Sequence, residues 1–463
     1  MVKLIDISRG FWYNILCYYV EILHHGRLDK MLIHDYMKIN NKGHLEIDGC
    51  DTVDIAKKYG TPLYLMSEER IRQSMRRYKN SIDKFYGGNG LCLYASKAFS
   101  CGYIYKVASQ EGIGVDVVSG GELYTALKAG FDAQKIVFHG NNKSYDEIKM
   151  AIESGVGRII IDSYEEIKMI DSISREMGKI TNVMIRVKPG IDAHTHEFIS
   201  TGHIDCKFGF AIENGEADEF IKYAMTFKNI EIKGLHCHIG SQMFLYEPFK
   251  LGGEVMMNYY VHLKNEYGLS LKELNLGGGF GVKYVEGDTP VDYEGFIESV
   301  SNVIKGICKD NNMEVPFIYM EPGRSIVGDA GTTLYSAGAI KDIKNVRKYV
   351  SIDGGLADNP RYIMYGAEYD AVIANRANET PTEYVTICGK CCESGDIIID
   401  KTHLPKINSG DIVAIMSTGA YNYSMASNYN RLPRPAVVFV RDGKDKLVVK
   451  RETYEDLIKN DIF

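Results

Sequence analysis

Apolar positions in the middle of the chain fall into short, nearly continuous runs rather than into strict alternation with polar ones. Eight runs follow one another: Leu91–Ala95, Val115–Val118, Lys135–His139, Arg158–Asp162, Val183–Val187, Ile232–His238, Glu273–Leu276 and Phe317–Met320. The stretches between them have helical periodicity, as in Gly121–Ala129 and Tyr164–Met177. Continuous apolar strands alternating with helices predict a parallel sheet, and eight β-α units over about 250 residues predict a (β/α)8 barrel of the TIM type.

After Ala330 the texture changes to YVSID, EYVTIC, DIVAIM and AVVFV, separated by Gly, Asp and Asn turns. This predicts a C-terminal antiparallel β domain, to which Gly43–Ile47 is expected to add an N-terminal strand. The predicted division is residues 31–65 for the N-terminal strands of the β domain, 66–335 for the barrel and 336–463 for the remainder of the β domain. Residues 1–30 fit neither part and read as an accessory helix, or as an extension ahead of a true start at Met31. Their apolar run, Phe11–Leu23, is broken by Asn14 and Glu21 and is too short to span a bilayer. Lys3 and Arg9 precede it as in a signal peptide, but HHGRLDK follows where small residues would be needed for cleavage.

Charge and cysteine content narrow the function. The 463 residues carry 54 basic and 61 acidic side chains, with both signs spread along the chain, which argues against a general grip on nucleic acid. Ten cysteines are few for this length, so reduced thiols in a cytoplasm are expected, and their spacing suggests no structural zinc site. Gly is frequent at 46 residues, which implies many tight turns.

Barrels of this kind place their chemistry at the C-terminal ends of the strands. The first run ends in Tyr94-Ala-Ser-Lys97, the second carries Asp116, the fifth Arg186, the sixth His236-Cys-His238-Ile-Gly-Ser241, the seventh Gly277, Gly278 and Gly279, and the eighth Glu321, Pro322, Gly323 and Arg324. A desolvated Lys97 would have a lowered pKa suited to Schiff-base chemistry, although it also reads as a snorkelling surface lysine. The bare glycine loop admits an anion to backbone N–H groups, or is simply a tight strand-to-helix turn. Arg324 would complete a phosphate cup or grip a carboxylate, with Ser241 as a further donor. Glu321 beside an anion needs a cation, either Arg324 or a protonated pyridine nitrogen. His236 and His238 share a face and read as metal ligands, or as one ring stacked on a flat cofactor and one in the core. Further on, Cys391-Cys392-Glu393-Ser-Gly-Asp396 is either a turn, or a proton donor (Cys392) beside a hook for an ammonium group (Glu393).

Taken in order, YASKA, GVDVVSGGEL, HGNNKS, H-T-H-E-F-I-S-T-G…K-F-G, HIGSQ, LNLGGGFG, EPGRS, DNPRY, CCESGD and GAYNYSMASNYN resemble the pyridoxal-phosphate decarboxylases with an alanine-racemase-like barrel, and within them the diaminopimelate decarboxylases. The resemblance covers about residues 45–435. It implies pyridoxal 5'-phosphate as cofactor, with Lys97 as its Schiff-base anchor, His238 stacked on the ring, Glu321 on the pyridine nitrogen and Asp116 as an anchor behind it. Ser241, Gly277–Gly279, Pro322, Gly323, Arg324 and Tyr421 would form the phosphate cup and its surroundings. Arg324, Arg361, Tyr365, Glu393 and Tyr421 would contact the substrate, and Cys392 would be the proton donor. The resemblance further implies a homodimer in which the C-E-S-G-D segment enters the partner's site. The implied reaction is decarboxylation of meso-2,6-diaminopimelate to L-lysine, the last step of lysine biosynthesis. Cys206 departs from the family, which has serine in D-S-K-F-G. Rival readings are a decarboxylase of another basic or diamino acid, a non-catalytic partner-binding relative, and a metal-dependent barrel hydrolase using His194, His196, His236 and His238.

Overall fold

The structure is a computed structural model and describes residues 34–191, 205–289 and 291–463. The 1–30 extension, His194, His196 and the H-T-H-E-F-I-S-T-G run lie outside the described residues.

Each of the eight apolar runs coincides with a barrel strand to within two residues: β1 Gly90–Ala95, β2 Gly114–Val117, β3 Ile136–Phe138, β4 Arg158–Ile161, β5 Thr181–Lys188, β6 Ile230–His236, β7 Glu273–Asn275 and β8 Phe317–Met320. Every strand is parallel to the next. β8 pairs back onto β1, with Ile318 opposite Gly90 and Met320 opposite Cys92, and the barrel closes. The helix Glu68–Tyr86 precedes β1 and packs between it and the helix Tyr293–Asp310, so the ring of helices is completed from the N-terminal side.

Alternation along the strands separates two sets of side chains. Tyr94, Val115, Phe138, Ile161, Ile185, Leu235, Leu274 and Met320 point outward and pack with the helices. Leu93, Val137, Ile160, Met184 and Tyr319 form a separate apolar cluster inside the barrel. Two residues further along the same strands stand Ala95, His139, Asp162, Arg186 and Glu321, while β2, β6 and β7 contribute Asp116, His236 and Asn275. The interior therefore changes from apolar to polar within a single layer, at the end where the strands run out.

The second domain is built on a mostly antiparallel sheet that takes in the strand Leu63–Ser67 ahead of the barrel. This strand lies between Gly331–Ile343, antiparallel to it, and Ala436–Arg441, parallel to it. A second parallel pairing joins Arg347–Ile352 to Glu383–Cys388, so the sheet is mixed where the sequence suggested antiparallel strands alone. The Gly43–Ile47 expectation needs a similar correction. Leu45–Ile47 is a strand, but it pairs with Met37–Ile39 and Cys50–Asp51 in a small sheet of its own. Met37, Leu45 and Ile47 then pack with Leu63, Leu65, Leu334 and Val438, so the connection to the large sheet is through the core rather than through hydrogen bonds.

The HGNNKS motif has a structural role beside β3. Lys143 is buried, and its Nζ donates to the carbonyls of Gly140 at 2.8 Å and Ile160 at 2.7 Å and to Glu166 Oε1 at 2.5 Å. The lysine thus ties the loop after β3 to the end of β4 and to the helix Tyr164–Glu176. Lys143→Met would leave the Glu166 carboxylate buried without its cation, at a cost of about 3–5 kcal/mol. The expected result is a lower urea midpoint with an unchanged slope, and an unmoved midpoint would show that the pair contributes nothing net.

Candidate active site

The polar end of the barrel opens into a cavity of about 760 Å³. Its walls include Ala95, Asp116, His139, Arg186, His236 and Glu321 from the strand ends, and Lys97 from the turn that follows β1. Twelve of the expected site residues line it: Lys97, Asp116, His238, Ser241, Gly278, Gly279, Glu321, Gly323, Arg324, Arg361, Tyr365 and Tyr421. Gly277 and Pro322 stand directly behind. The Gly277 carbonyl accepts from the Glu321 N–H at 2.7 Å and the Pro322 carbonyl from the Ala95 N–H at 3.1 Å.

Lys97 behaves differently from the sequence expectation. Burial does lower its pKa, but Asp116, Tyr421 and Glu321 outweigh it, and the ammonium ends above its ordinary value of 10.5. Asp116 bears the opposite strain, since burial, only partly offset by His139, pushes its carboxyl up to about 6. One of its oxygens, Oδ1, is buried without a hydrogen-bond partner.

Glu321 follows β8 and is nearly sealed from solvent. Its Oε1 accepts from His139 Nε2 at 2.7 Å and from Asn275 Nδ2 at 2.6 Å, while Oε2 meets His236 Nε2 at 3.3 Å. Burial alone would raise its pKa, but the two histidines hold it well below the carboxylate range. Burial lowers His236 to about 3, so its ring is neutral, and its Nδ1 is buried without a partner. The expected alternative of a Glu321–Arg324 ion pair is not formed, because Arg324 is turned to other partners. Nor do His236 and His238 converge as a ligand pair. His236 groups with His139 and Glu321, whereas His238 Nδ1 accepts the Gly278 N–H at 3.2 Å and its pKa falls well below 6.5 through burial and Lys97.

The glycine run is required by space. A Cβ on Gly278 would stand 2.1 Å from the Glu321 carbonyl oxygen, and one on Gly277, at φ +66°, would stand 2.6 Å from that of Cys237. The loop is therefore wedged between the ends of β6 and β8. Beside it, Arg324 Nη1 donates to Tyr284 Oη at 2.7 Å and Nη2 to Ser241 Oγ at 2.9 Å, and its guanidinium lies 4.8 Å from the Tyr421 ring centre. Arg324 Nε is buried without a partner. Arg361 donates to Tyr369 at 2.8 Å and lies 4.7 Å from the Tyr284 ring. Tyr284 thus sits between two guanidiniums, which outweigh the effect of burial and lower its phenol below 10.

Besides Gly277 and Pro322, which stand behind the wall, Cys392 and Glu393 are the expected residues that the cavity does not include. Both are exposed on their own chain, where the Cys392 N–H donates to Asn430 Oδ1 at 2.7 Å and the Glu393 N–H to the Cys391 carbonyl at 2.8 Å. Asp396 fixes this loop by accepting from the N–H groups of Cys391 at 2.8 Å and Leu356 at 2.6 Å. The cysteine-spacing argument also needs correction, since Cys388 and Cys391 do stand in a C-x-x-C step. Burial raises both thiols' pKa, Cys391 to about 12, which opposes the deprotonation a zinc ligand needs.

Among the residues that escaped the sequence reading are His139 and Tyr284, which line the cavity, and Asn275, which bonds Glu321. His139 ends the third apolar run and Asn275 lies within LNLGGGFG, so the strand-end argument used for Lys97 and Glu321 would have reached both. Tyr284 lies in a loop and had no comparable signal.

Residues 68–328 match the family model described as pyridoxal-dependent decarboxylase, pyridoxal binding domain. Over 422 residues the chain is 50% identical to the diaminopimelate decarboxylase of Bacillus methanolicus, covering 91% of this chain and 98% of that one. The chain belongs to the diaminopimelate decarboxylase family. The Bacillus subtilis member is 46% identical over 93% of this chain and 98% of its own. The crystal structure of the M. jannaschii diaminopimelate decarboxylase in co-complex with L-lysine superposes with a TM-score of 0.85 at 37% identity, covering 93% of this chain and 98% of that one.

The wedged loop gives a direct test of the site's packing. Gly278→Ala forces backbone apart at the junction of β6 and β8 and is expected to cost about 1–3 kcal/mol, read as a lower urea midpoint. Wild-type stability in the variant would mean that the loop has room the geometry denies.

Proposed function

We propose that the chain is a pyridoxal-phosphate-dependent decarboxylase that converts meso-2,6-diaminopimelate to L-lysine and carbon dioxide. The observation that carries this reading is one cavity in which Lys97, Asp116, Glu321 and the Gly277–Gly279 loop stand with two arginines, Arg324 and Arg361. The cavity suits the cofactor on its own terms. The bare loop has no room for side chains, and Asp116 Oδ1, Arg324 Nε and His236 Nδ1 are buried polar atoms still without partners.

Pyridoxal phosphate, when bound, supplies an aldehyde for covalent capture of an amine and an electron sink for the pair left as carbon dioxide departs. Lys97, from the turn after β1, would be the amine that holds it covalently. Glu321, kept ionised by its histidine neighbours, would hold a proton on the ring nitrogen. His238 and Asp116, both in the cavity wall, would flank the ring and supply a charge near it. Ser241, the three glycines, the Pro322–Arg324 stretch and Tyr421 hold the phosphate and its surroundings. Arg361 would grip the carboxylate of a second amino-acid head and Glu393 its ammonium, a pairing that favours such a substrate over lysine or ornithine. Tyr365 and Tyr421 add contacts to it.

The residues still required, the proton donor Cys392 and the ammonium hook Glu393, point outward on their own chain. This supports a homodimer in which each chain lends its Cys392–Glu393 loop to the other's cavity. All nine cysteines among the described residues are free, which supports a reducing, cytoplasmic location, and no helix among those residues is long and apolar enough to cross a membrane.

The direct experiment adds meso-diaminopimelate to the cofactor-loaded protein and assays carbon dioxide and lysine. Turnover of lysine or ornithine in its place would move the reading to another diamino acid. Because the Lys97 amine is protonated in the free protein and only its neutral form attacks an aldehyde, covalent uptake of pyridoxal phosphate should quicken by about tenfold per pH unit from pH 7 to 9. Lys97→Ala should show no covalent uptake, and a pH-independent rate would contradict the charge assigned to Lys97. Mixing Lys97→Ala with Cys392→Ala subunits should restore up to about a quarter of wild-type turnover, because half the dimers then carry one intact site. Restored activity absent under proven exchange would rule out sharing.

A further inference from the structure

Glu321 is held by three donors from three strands. His139 stands at the end of β3, His236 at the end of β6 and Asn275 at the end of β7. Two of them load the same oxygen: Oε1 accepts from His139 at 2.7 Å and Asn275 at 2.6 Å, while Oε2 has one long contact, 3.3 Å to His236. Oε2 is therefore the oxygen with capacity for another donor. The His139 ring is itself fixed, its centre 4.8 Å from that of His236 at 72°, and its backbone N–H is tied to the Val117 carbonyl at 2.8 Å.

A buried carboxylate without such donors would take up a proton, and a neutral acid holds no proton on a neighbouring ring nitrogen. We infer that His139 is a positioning residue for the cofactor's electron sink: by donating to Oε1 it keeps Glu321 an anion and leaves Oε2 for the ring nitrogen. This rests on the reading of the cavity as a pyridoxal-phosphate site. His139, His236 and Glu321 also have the composition of a metal site, with donor atoms within 4.8 Å of one another. The two roles exclude each other, because an Nε2 that ligates a metal has no proton to give Glu321.

The test compares His139→Asn, whose amide is too short to reach Glu321, with His139→Gln, whose amide reaches about as far as Nε2. Both are polar and close to histidine in bulk, and His139→Leu serves as a second variant if the asparagine form does not fold. Affinities of the full-length apoprotein are measured by absorbance for pyridoxal 5'-phosphate and for its 1-deaza analogue, which has C–H in place of the ring nitrogen. The expected result is that His139→Asn weakens pyridoxal phosphate by roughly tenfold more than it weakens the analogue, and that His139→Gln restores the wild-type ratio. An unchanged ratio in His139→Asn would overturn the inference, since loss of shape alone affects both ligands alike. Stoichiometric zinc held by wild type and lost in His139→Asn would overturn it too. A wild-type protein that binds neither ligand would instead overturn the reading of the cavity.

Discussion

The pairing of β8 onto β1 is the constraint on which the site depends. It needs a glycine, because a Cβ on Gly90 would stand 2.6 Å from the Ile318 carbonyl oxygen. Closure in that register brings the end of the last strand beside the end of the first, and the Ala95 N–H to Pro322 carbonyl bond continues the pairing past the strands themselves. Lys97 and Glu321, more than 200 residues apart in sequence, thereby face one cavity. A third part of the chain is bound to the same junction. The Tyr421 N–H donates to the Ala98 carbonyl at 2.7 Å, so the C-terminal domain adds its tyrosine where the barrel closes.

Above the apolar layer the barrel carries charges that it does not fully neutralise. Asp116 is driven toward protonation, Lys97 is held charged by the acids around it, and Arg186 has its pKa lowered by burial. Buried polar atoms normally find partners, so Asp116 Oδ1, Arg324 Nε and His236 Nδ1 are a cost to the unliganded fold. The same arrangement favours a ligand that brings both an anion and a protonated ring. In this sense the site is strained toward binding, and the packed layer beneath it, from Leu93 to Tyr319, supplies the rigidity that lets the strain persist.

What was legible in the sequence follows from what each signal depends on. The barrel strands could be read because each is buried on both faces and appears as a continuous apolar run wherever its partners lie. The strand Leu63–Ser67 also reads LYLMS, but nothing local says that it joins strands from the far end of the chain, so Gly43–Ile47 was assigned to the large sheet in its place. The site residues at strand ends were accessible by counting, His139 and Asn275 included, but counting positions gives these two no role. Their meaning lies in the carboxylate they surround, which is supplied by β8.

Lys97 shows a deeper limit. Sequence reasoning foresaw its burial and from that a lowered pKa. The desolvation is present, but the sign is decided by Asp116 and Glu321, which the fold brings to the same cavity from β2 and the end of β8. A buried lysine among acids and a buried lysine among apolar groups have the same sequence signature and opposite charge behaviour. Here the Lys97 amine is held protonated, and its charge is set by how the surrounding acids share theirs. The histidines that keep Glu321 ionised therefore act on Lys97 as well, and the charge state of the cavity belongs to the ring of strand ends as a whole.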